Sequence, residues 1–391
     1  MREYNITRGL AAFALMICFT VTMGSHAAAA DAPALTVEAK ASIIMEAETG
    51  TVLFESKADD RLAPASVTKI MTILLIYEAV AQGKINMDDI VTVSEHASNM
   101  GGSQVYLEPQ EKQTVRDLTK SVVIASANDA AVAMAEYIGG SEDSFVDMMN
   151  QKAQALGMKN TAFKNACGLD ADGHFTSARD IAIMSRALWT EHPEAFVYTT
   201  TWLDSITHKT ARGESEFGLT NTNKLVRWYN GATGLKTGST SKAGYCLSGT
   251  AERDGMKLIA VVLNAPAPTV RFQEVMKMLD YGFAHFSLVA GDEAGAIIGE
   301  INVAKSRRET LPVMVQTKVS AVSAKGNAAV SSEMTLREDV AAPVAVGDVV
   351  GEIVYSHNGK ELGRSALVAA EAAERATVGD AFLRILQITA E

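Results

Sequence analysis

The stretch that most limits how this chain can fold is PASVTKIMTILLIYEAV, residues 64–80. From Ile70 to Ile76 it is apolar almost all round. A helix of that kind has no solvent face, so the rest of its domain must wrap it on every side. Pro64 suits the entry, where a missing N–H costs nothing. The spacing predicts a helix from about residue 66 to about residue 82, with Ser66 and Lys69 on one face of its first turn. A lysine there is costly to bury as a cation, so it either reaches water or gives up its proton more easily. In the second case it can act as a base toward Ser66. A lone S-x-x-K arises by chance about once or twice in a chain of this length, so the pair needs partners before it implies chemistry.

The 391 residues are enough for two domains and a sizeable core. A net charge of −11 with no basic stripe gives nucleic acid no electrostatic footprint. Arg2 and Arg8 flank the apolar stretch Leu10 to Met23, and Ala28-Ala29-Ala30 precedes Asp31. That is the pattern of a secretory signal over residues 1–30. The stretch is shorter than the roughly 20 apolar residues a membrane span needs. Export makes a disulfide between Cys167 and Cys246 chemically allowed, provided their Cα atoms come within about 7 Å. The seven histidines show no zinc-binding spacing, so neither a metal nor another cofactor is expected.

Along the chain, residues 41–64 read as two short strands around a turn at Thr49-Gly50. Residues 114–140 read as two helices broken near Ser126-Ala127-Asn128, where Ser and Asn compete for backbone hydrogen bonds. Residues 141–157 and the segment TSARDIAIMSRALWTEH read as further helices. KLIAVVLNA is a buried strand, with an antiparallel neighbour before it turning at Asp254-Gly255. Helices cluster mid-chain and strands lie at both ends, which points to an α+β domain. Beyond about residue 290 the pattern is strand-like, with a hairpin turn at Asn358-Gly359, and suggests a small all-β domain.

Three more short motifs give Ser66 and Lys69 company. They are Ser126-Ala127-Asn128 on the helix break, Lys236-Thr237-Gly238-Ser239-Thr240 just ahead of a strand, and Arg271 after the next one. S-x-x-K, S-x-N and K-T-G in that order form the set used by penicillin-binding proteins and class A β-lactamases. With PASVTKIMT, NACGLDADGHFTSARDIA and GLKTGSTSKAGYCL, the sequence resembles the low-molecular-mass penicillin-binding proteins, which are serine-type D-alanyl-D-alanine carboxypeptidases. The resemblance implies a catalytic domain of the penicillin-binding/serine β-lactamase-like type over residues 31–288, a helical cluster with an antiparallel sheet. It implies a small β domain over 289–377 and a tail at 378–391.

By the same resemblance, Ser66 is the nucleophile and Lys69 its base, with Lys236 nearby disfavouring a second cation. Ser126 relays a proton to the leaving D-alanine. Asn128 orients Lys69 and donates to the substrate amide. The backbone N–H groups of Ser66 and Ser239 form the oxyanion hole. Lys236, Thr237, Gly238 and Arg271 line the place of the substrate carboxylate. The implied substrate is a peptidoglycan stem peptide ending in D-Ala-D-Ala, and the implied inhibitors are β-lactams. The implied location is the outer face of the cytoplasmic membrane. There Ala381, Phe382, Ile385, Leu386 and Ile388 of the tail would make peripheral contact with lipid. Three alternatives remain at this point. A class A β-lactamase would need a glutamate on an E-x-x-L-N loop, and the corresponding stretch NTAFKNACGLDADG has none. A D,D-endopeptidase would use the same scaffold. A catalytically silent binding scaffold would have no need of the intact Ser66, Lys69, Ser126 and Lys236.

Overall fold

The structure is a computed structural model that describes residues 34–326 and 329–380. Its centre is a five-stranded antiparallel sheet in the order Val52–Ser56, Ala41–Glu46, Met256–Ala265, Gly244–Arg253, Ala232–Thr240. The inner strands at Ala41 and Met256 are buried along nearly their whole length, the first at every residue, so that even Ser42 and Glu46 are out of water. Alternate residues serve two cores. Ile43, Met45, Ile259 and Val261 face the larger helical cluster, whereas Ile44, Leu258, Ala260 and Val262 face the helix Pro268–His285.

The apolar run of residues 70–76 is the buried helix Lys69–Ala81, with every residue from Ile70 to Tyr77 buried. It starts three residues later than the spacing predicts. Ala65–Thr68 forms a 3₁₀ turn, in which residues i and i+3 eclipse. Ser66 therefore stands directly over Lys69. Ala65 enters that turn with φ of +50°, a left-handed value that an alanine adopts only under constraint.

Two glycines show what constrains it. A Cβ on Gly238 would lie 2.8 Å from the backbone nitrogen of Ser66 and 2.9 Å from that of Val67. One on Gly168 (φ +91°) would lie 2.0 Å from the carbonyl oxygen of Ala65. The edge strand and the loop around Gly168 thus press on the Ser66 turn from two sides, at distances only glycine permits. The loop is also fastened to the helix. Thr72 Oγ1 donates to Ala166 O at 2.6 Å, and Thr68 Oγ1 meets Nε2 of the buried His174 at 3.0 Å. Because His174 Nδ1 accepts from Lys164 N at 3.1 Å, its Nε2 carries the proton. Burial pushes the ring's pKa down to about 4, which keeps it in that neutral form.

The predicted helix break is real. The chain passes from Val115–Lys120 through a wide π-type turn at Ser121–Ala125, places Ser126 at φ +61°, and resumes as Asn128–Gly139. The helices Glu142–Ala155 and Ala178–Glu191 start at Ser141 and Ser177, whose side chains accept from the first-turn nitrogens of Ser144 and Asp180.

From Phe286 onward the described residues form β structure. Phe286–Ala290 pairs with Ser320–Ala324, and a five-stranded sheet runs Ile297–Asn302, Thr310–Val315, Lys360–Ala369, Val349–His357, Val330–Leu336. Asn358 and Gly359 have φ of +54° and +74°, as a tight hairpin turn requires. This sheet has a core of its own, built on Leu311, Val313, Ile353, Tyr355 and Leu367. The tail residues named above, Ala381 to Ile388, lie outside the described residues, as does the segment 1–30.

The crowding at Gly168 gives a stability test. Gly83 has a similar φ of +67° with nothing within 4 Å of its missing side chain. Gly83→Ala should therefore cost only the left-handed backbone term, about 1–2 kcal/mol. Gly168→Ala adds a collision with backbone, so thermal unfolding should show it worse by a further 1–3 kcal/mol, roughly, or more. Equal melting temperatures for the two variants would show that the loop yields freely at Ala65.

Candidate active site

Four segments distant in sequence meet at Ser66. Lys69 is completely buried, and its Nζ lies 3.1 Å from Ser66 Oγ, 2.5 Å from Asn128 Oδ1 and 2.7 Å from the carbonyl oxygen of Cys167. Burial is the main reason its pKa falls, to about 8. Asn128 Oδ1 and Cys167 O can only accept. A neutral amine has two N–H groups and one lone pair. With both N–H groups committed to those acceptors, the lone pair is left facing the Ser66 hydroxyl. The geometry thus equips Lys69 to receive the serine proton.

Across the cleft, Lys236 is 1% exposed and its Nζ lies 2.7 Å from Ser126 Oγ and 3.2 Å from Thr237 O. Its pKa is pushed well down, first by burial and then by the nearby positive charges of Lys69 and Arg271. Lys236 is not ahead of a strand, as the sequence suggests. Ala232–Thr240 is itself the edge strand, and it carries all of Lys236 to Thr240. Thr237 Oγ1 donates to Thr222 Oγ1 at 2.8 Å. Ser239 is exposed at the strand's end. Gly238 serves first as the gap into which the Ser66 turn fits.

Arg271 is not on a loop after the strand but in the first turn of the helix Pro268–His285. Its Nη1 donates to Gly238 O at 3.0 Å, and Nε is buried with no partner. The guanidinium therefore backs the same edge strand and keeps donor capacity in reserve.

Asn128 differs from expectation in one respect. Its Nδ2 already donates to Gly101 O at 2.6 Å, and its backbone nitrogen donates to Ser103 O at 2.7 Å. A substrate amide that uses Nδ2 must compete with Gly101. Cys167 and Cys246 are both buried free thiols, so the disulfide considered from sequence does not form.

Sequence reasoning missed several supporting residues. Asn165 Oδ1 accepts from the backbone nitrogens of Cys167, Gly168 and Leu169 at 3.3, 2.6 and 3.2 Å, which fixes the carbonyl that Lys69 uses. Asp129, also fully buried, accepts from Val105 N and Leu107 N and so holds the loop that binds Asn128. The Asn-x-x-Gly spacing of Asn165 and Gly168 is a turn signal and could have flagged the first. Nothing local marks Asp129, because its partners lie some twenty residues earlier.

A family model for D-alanyl-D-alanine carboxypeptidase, peptidase S11, matches residues 26–267. One for the C-terminal domain of penicillin-binding protein 5 matches residues 286–375. The D-alanyl-D-alanine carboxypeptidase DacF of Bacillus subtilis is 41% identical over 341 residues, 87% of each chain. DacC of Escherichia coli, of the same description, is 35% identical over 390 residues, covering 96% of this chain and 94% of its own. Among solved structures, penicillin-binding protein 5 from Haemophilus influenzae superposes with a TM-score of 0.73 at 31% identity, over 88% of this chain and all of that one. Kinship on this scale, over a cleft assembled around a buried lysine and its serine, places the protein: the chain belongs to the peptidase S11 family and is a serine-type D-alanyl-D-alanine carboxypeptidase.

Proposed function

We propose that the chain removes the terminal D-alanine from peptidoglycan stem peptides through an acyl-enzyme on Ser66. The observation that supports this most directly is the committed hydrogen bonding of Lys69, which leaves its lone pair for Ser66. Ser66 Oγ attacks the carbonyl carbon of the D-Ala-D-Ala bond as Lys69 Nζ takes the hydroxyl proton. Backbone N–H groups of Ser66 and Ser239 take the developing oxyanion. Ser126, hydrogen-bonded to Lys236, relays to the departing amine nitrogen the proton that Lys69 took from Ser66, so that Lys69 is neutral again when D-alanine leaves. The substrate carboxylate lies against Thr237, Lys236 and the uncommitted donors of Arg271. Water then adds to the ester carbon as Lys69 takes one of its protons, Lys69 returns that proton to Ser66 Oγ as the ester bond breaks, and the shortened peptide leaves with the water oxygen in its new carboxyl group.

β-Lactams would acylate Ser66 by the same route. Hydrolysis of that adduct should be slow, because the stretch NTAFKNACGLDADG offers no glutamate to activate water. The β-lactamase, endopeptidase and silent-scaffold alternatives are not favoured by the family matches. The proposed workplace is the outer face of the cytoplasmic membrane. Among the described residues, no helix is long and apolar enough to cross a membrane. Attachment would therefore rest on the apolar positions of the tail. Full-length mature protein should sediment with anionic vesicles and lose that on deletion of residues 378–391; protein that stays in the supernatant in both forms contradicts the attachment.

Labelled penicillin should attach to Ser66 alone, and Ser66→Ala should abolish both labelling and release of D-alanine. Lys69→Arg should be nearly as inactive, since arginine keeps its proton. Peptide mapping that finds the label on another serine would overturn the assignment.

The pH profile follows from Lys69. Only its neutral form can take the serine proton, and its pKa is about 8. The kcat/KM for a soluble D-Ala-D-Ala peptide should rise about tenfold per pH unit on the acid side and level off above that value. A profile flat from pH 6 to 9, roughly, would remove Lys69 from the role of base.

Arg271→Ala should cost peptide turnover about ten- to a hundred-fold in kcat/KM, the loss of one charged hydrogen-bond partner. Acylation by a penicillin whose carboxylate is esterified should fall less, because that compound offers the guanidinium no anion. Equal losses for the two compounds would place the carboxylate elsewhere.

A further inference from the structure

The loop between Met100 and Glu111 holds a strained residue that the chemistry at Ser66 does not call for. Tyr106 sits at φ +62°, in the left-handed region that bulky side chains avoid. The buried carboxylate of Asp129 keeps it there. That group accepts from Val105 N at 3.2 Å and from Leu107 N at 3.1 Å, the residues on either side. Val105 and Leu107 turn inward and are buried, while Tyr106 is 69% exposed. An aromatic ring is thus forced outward into water by a structure that over-determines it, and such strain is usually retained for use.

The ring is not alone. Phe217 meets it edge to face at 6.0 Å between centroids, and His208 meets Phe217 likewise at 5.6 Å. His208 Nδ1 is in turn 2.8 Å from the buried Glu111 Oε1, which anchors the hairpin carrying Phe217 to the end of the Tyr106 loop. Phe217 and the backbone of Tyr106 are therefore fixed before any ligand arrives, which lowers the entropy cost of using the pair.

Their position relates them to the cleft. The Tyr106 loop supplies both backbone oxygens that hold Asn128. The strand Gly213–Thr220 that carries Phe217 runs on to Thr222, the partner of Thr237. Thr222 N also donates to Ile124 O, two residues before Ser126. The segments that carry the two rings thus both meet the stretch Ile124–Asn128. Arg271 backs the opposite, strand side of the cleft. With the substrate carboxylate on the Arg271 side, the acyl half of the peptide leaves past Asn128, toward Tyr106.

We propose that Tyr106, backed by Phe217, is a specificity-determining residue whose ring face packs on the side chain preceding the two D-alanines. The chemistry it suits is a long aliphatic chain with an amide or ammonium end, since an aromatic face takes methylenes and cations alike. This rests on the reading of the carboxylate site given above.

The test compares two substrates that share the scissile bond. N-acetyl-D-Ala-D-Ala stops short of the ring, whereas Nα,Nε-diacetyl-L-Lys-D-Ala-D-Ala reaches it. Tyr106→Ala should lower the ratio of kcat/KM for the longer over the shorter substrate about tenfold, and Tyr106→Phe should keep it near the wild-type ratio, since the face and not the hydroxyl makes the contact. An unchanged ratio in Tyr106→Ala, or equal losses on both substrates, overturns the proposal. The Arg271→Ala comparison of peptide turnover with acylation by an esterified penicillin checks the carboxylate reading separately, because that variant leaves Tyr106 in place.

Discussion

Everything in the cleft depends on taking one lysine side chain out of water without leaving it unpaired. Lys69 is fully buried among Ser66, Asn128 and the carbonyl of Cys167. Burying an unpaired cation would cost more than a small domain can spare. Pairing it with a carboxylate would hold its proton and deny it the role of base proposed above. Neutral acceptors resolve the conflict. They satisfy the N–H groups and leave the charge free to come and go near pH 8. Lys236 is a second case, made more extreme because two cations already lie near it.

Such a site must be rigid, and the rigidity comes from outside it. Asn165 fixes the Cys167 carbonyl through three backbone nitrogens. His174 and Thr72 fasten the same loop to the Ser66 turn and its helix. Gly168 and Gly238 let loop and strand close on Ala65 from both sides. Ala65 and Ser126 are both left-handed, and each stands beside or at a group proposed to react. The buried helix behind Lys69 gives this strain something solid to lean on. The same logic extends to the rim, where buried Asp129 holds Tyr106 outward.

The sequence by itself determined a good deal. The apolar run at 70–76 required a buried helix, the serine caps at 141 and 177 set two more, and the Asp-Gly and Asn-Gly turns located two of the hairpins. These are local signals, in which the residues that make an element are those that encode it. The order of S-x-x-K, S-x-N and K-T-G pointed to the family because each motif is short and contiguous. The helix that carries Arg271 was legible and was overlooked: Pro268 stands at its first position, and Phe272, Val275, Leu279 and Phe283 recur at helical spacing. What local pattern could not give was the 3₁₀ turn under Ser66, which is decided by packing between segments far apart in the chain. Nor could it show that Cys167 contributes its carbonyl and not its thiol. Backbone atoms are alike in every residue, so only tertiary structure decides which carbonyl meets Lys69, and only the close approach of strand and loop decides that a glycine must stand at 168 and 238.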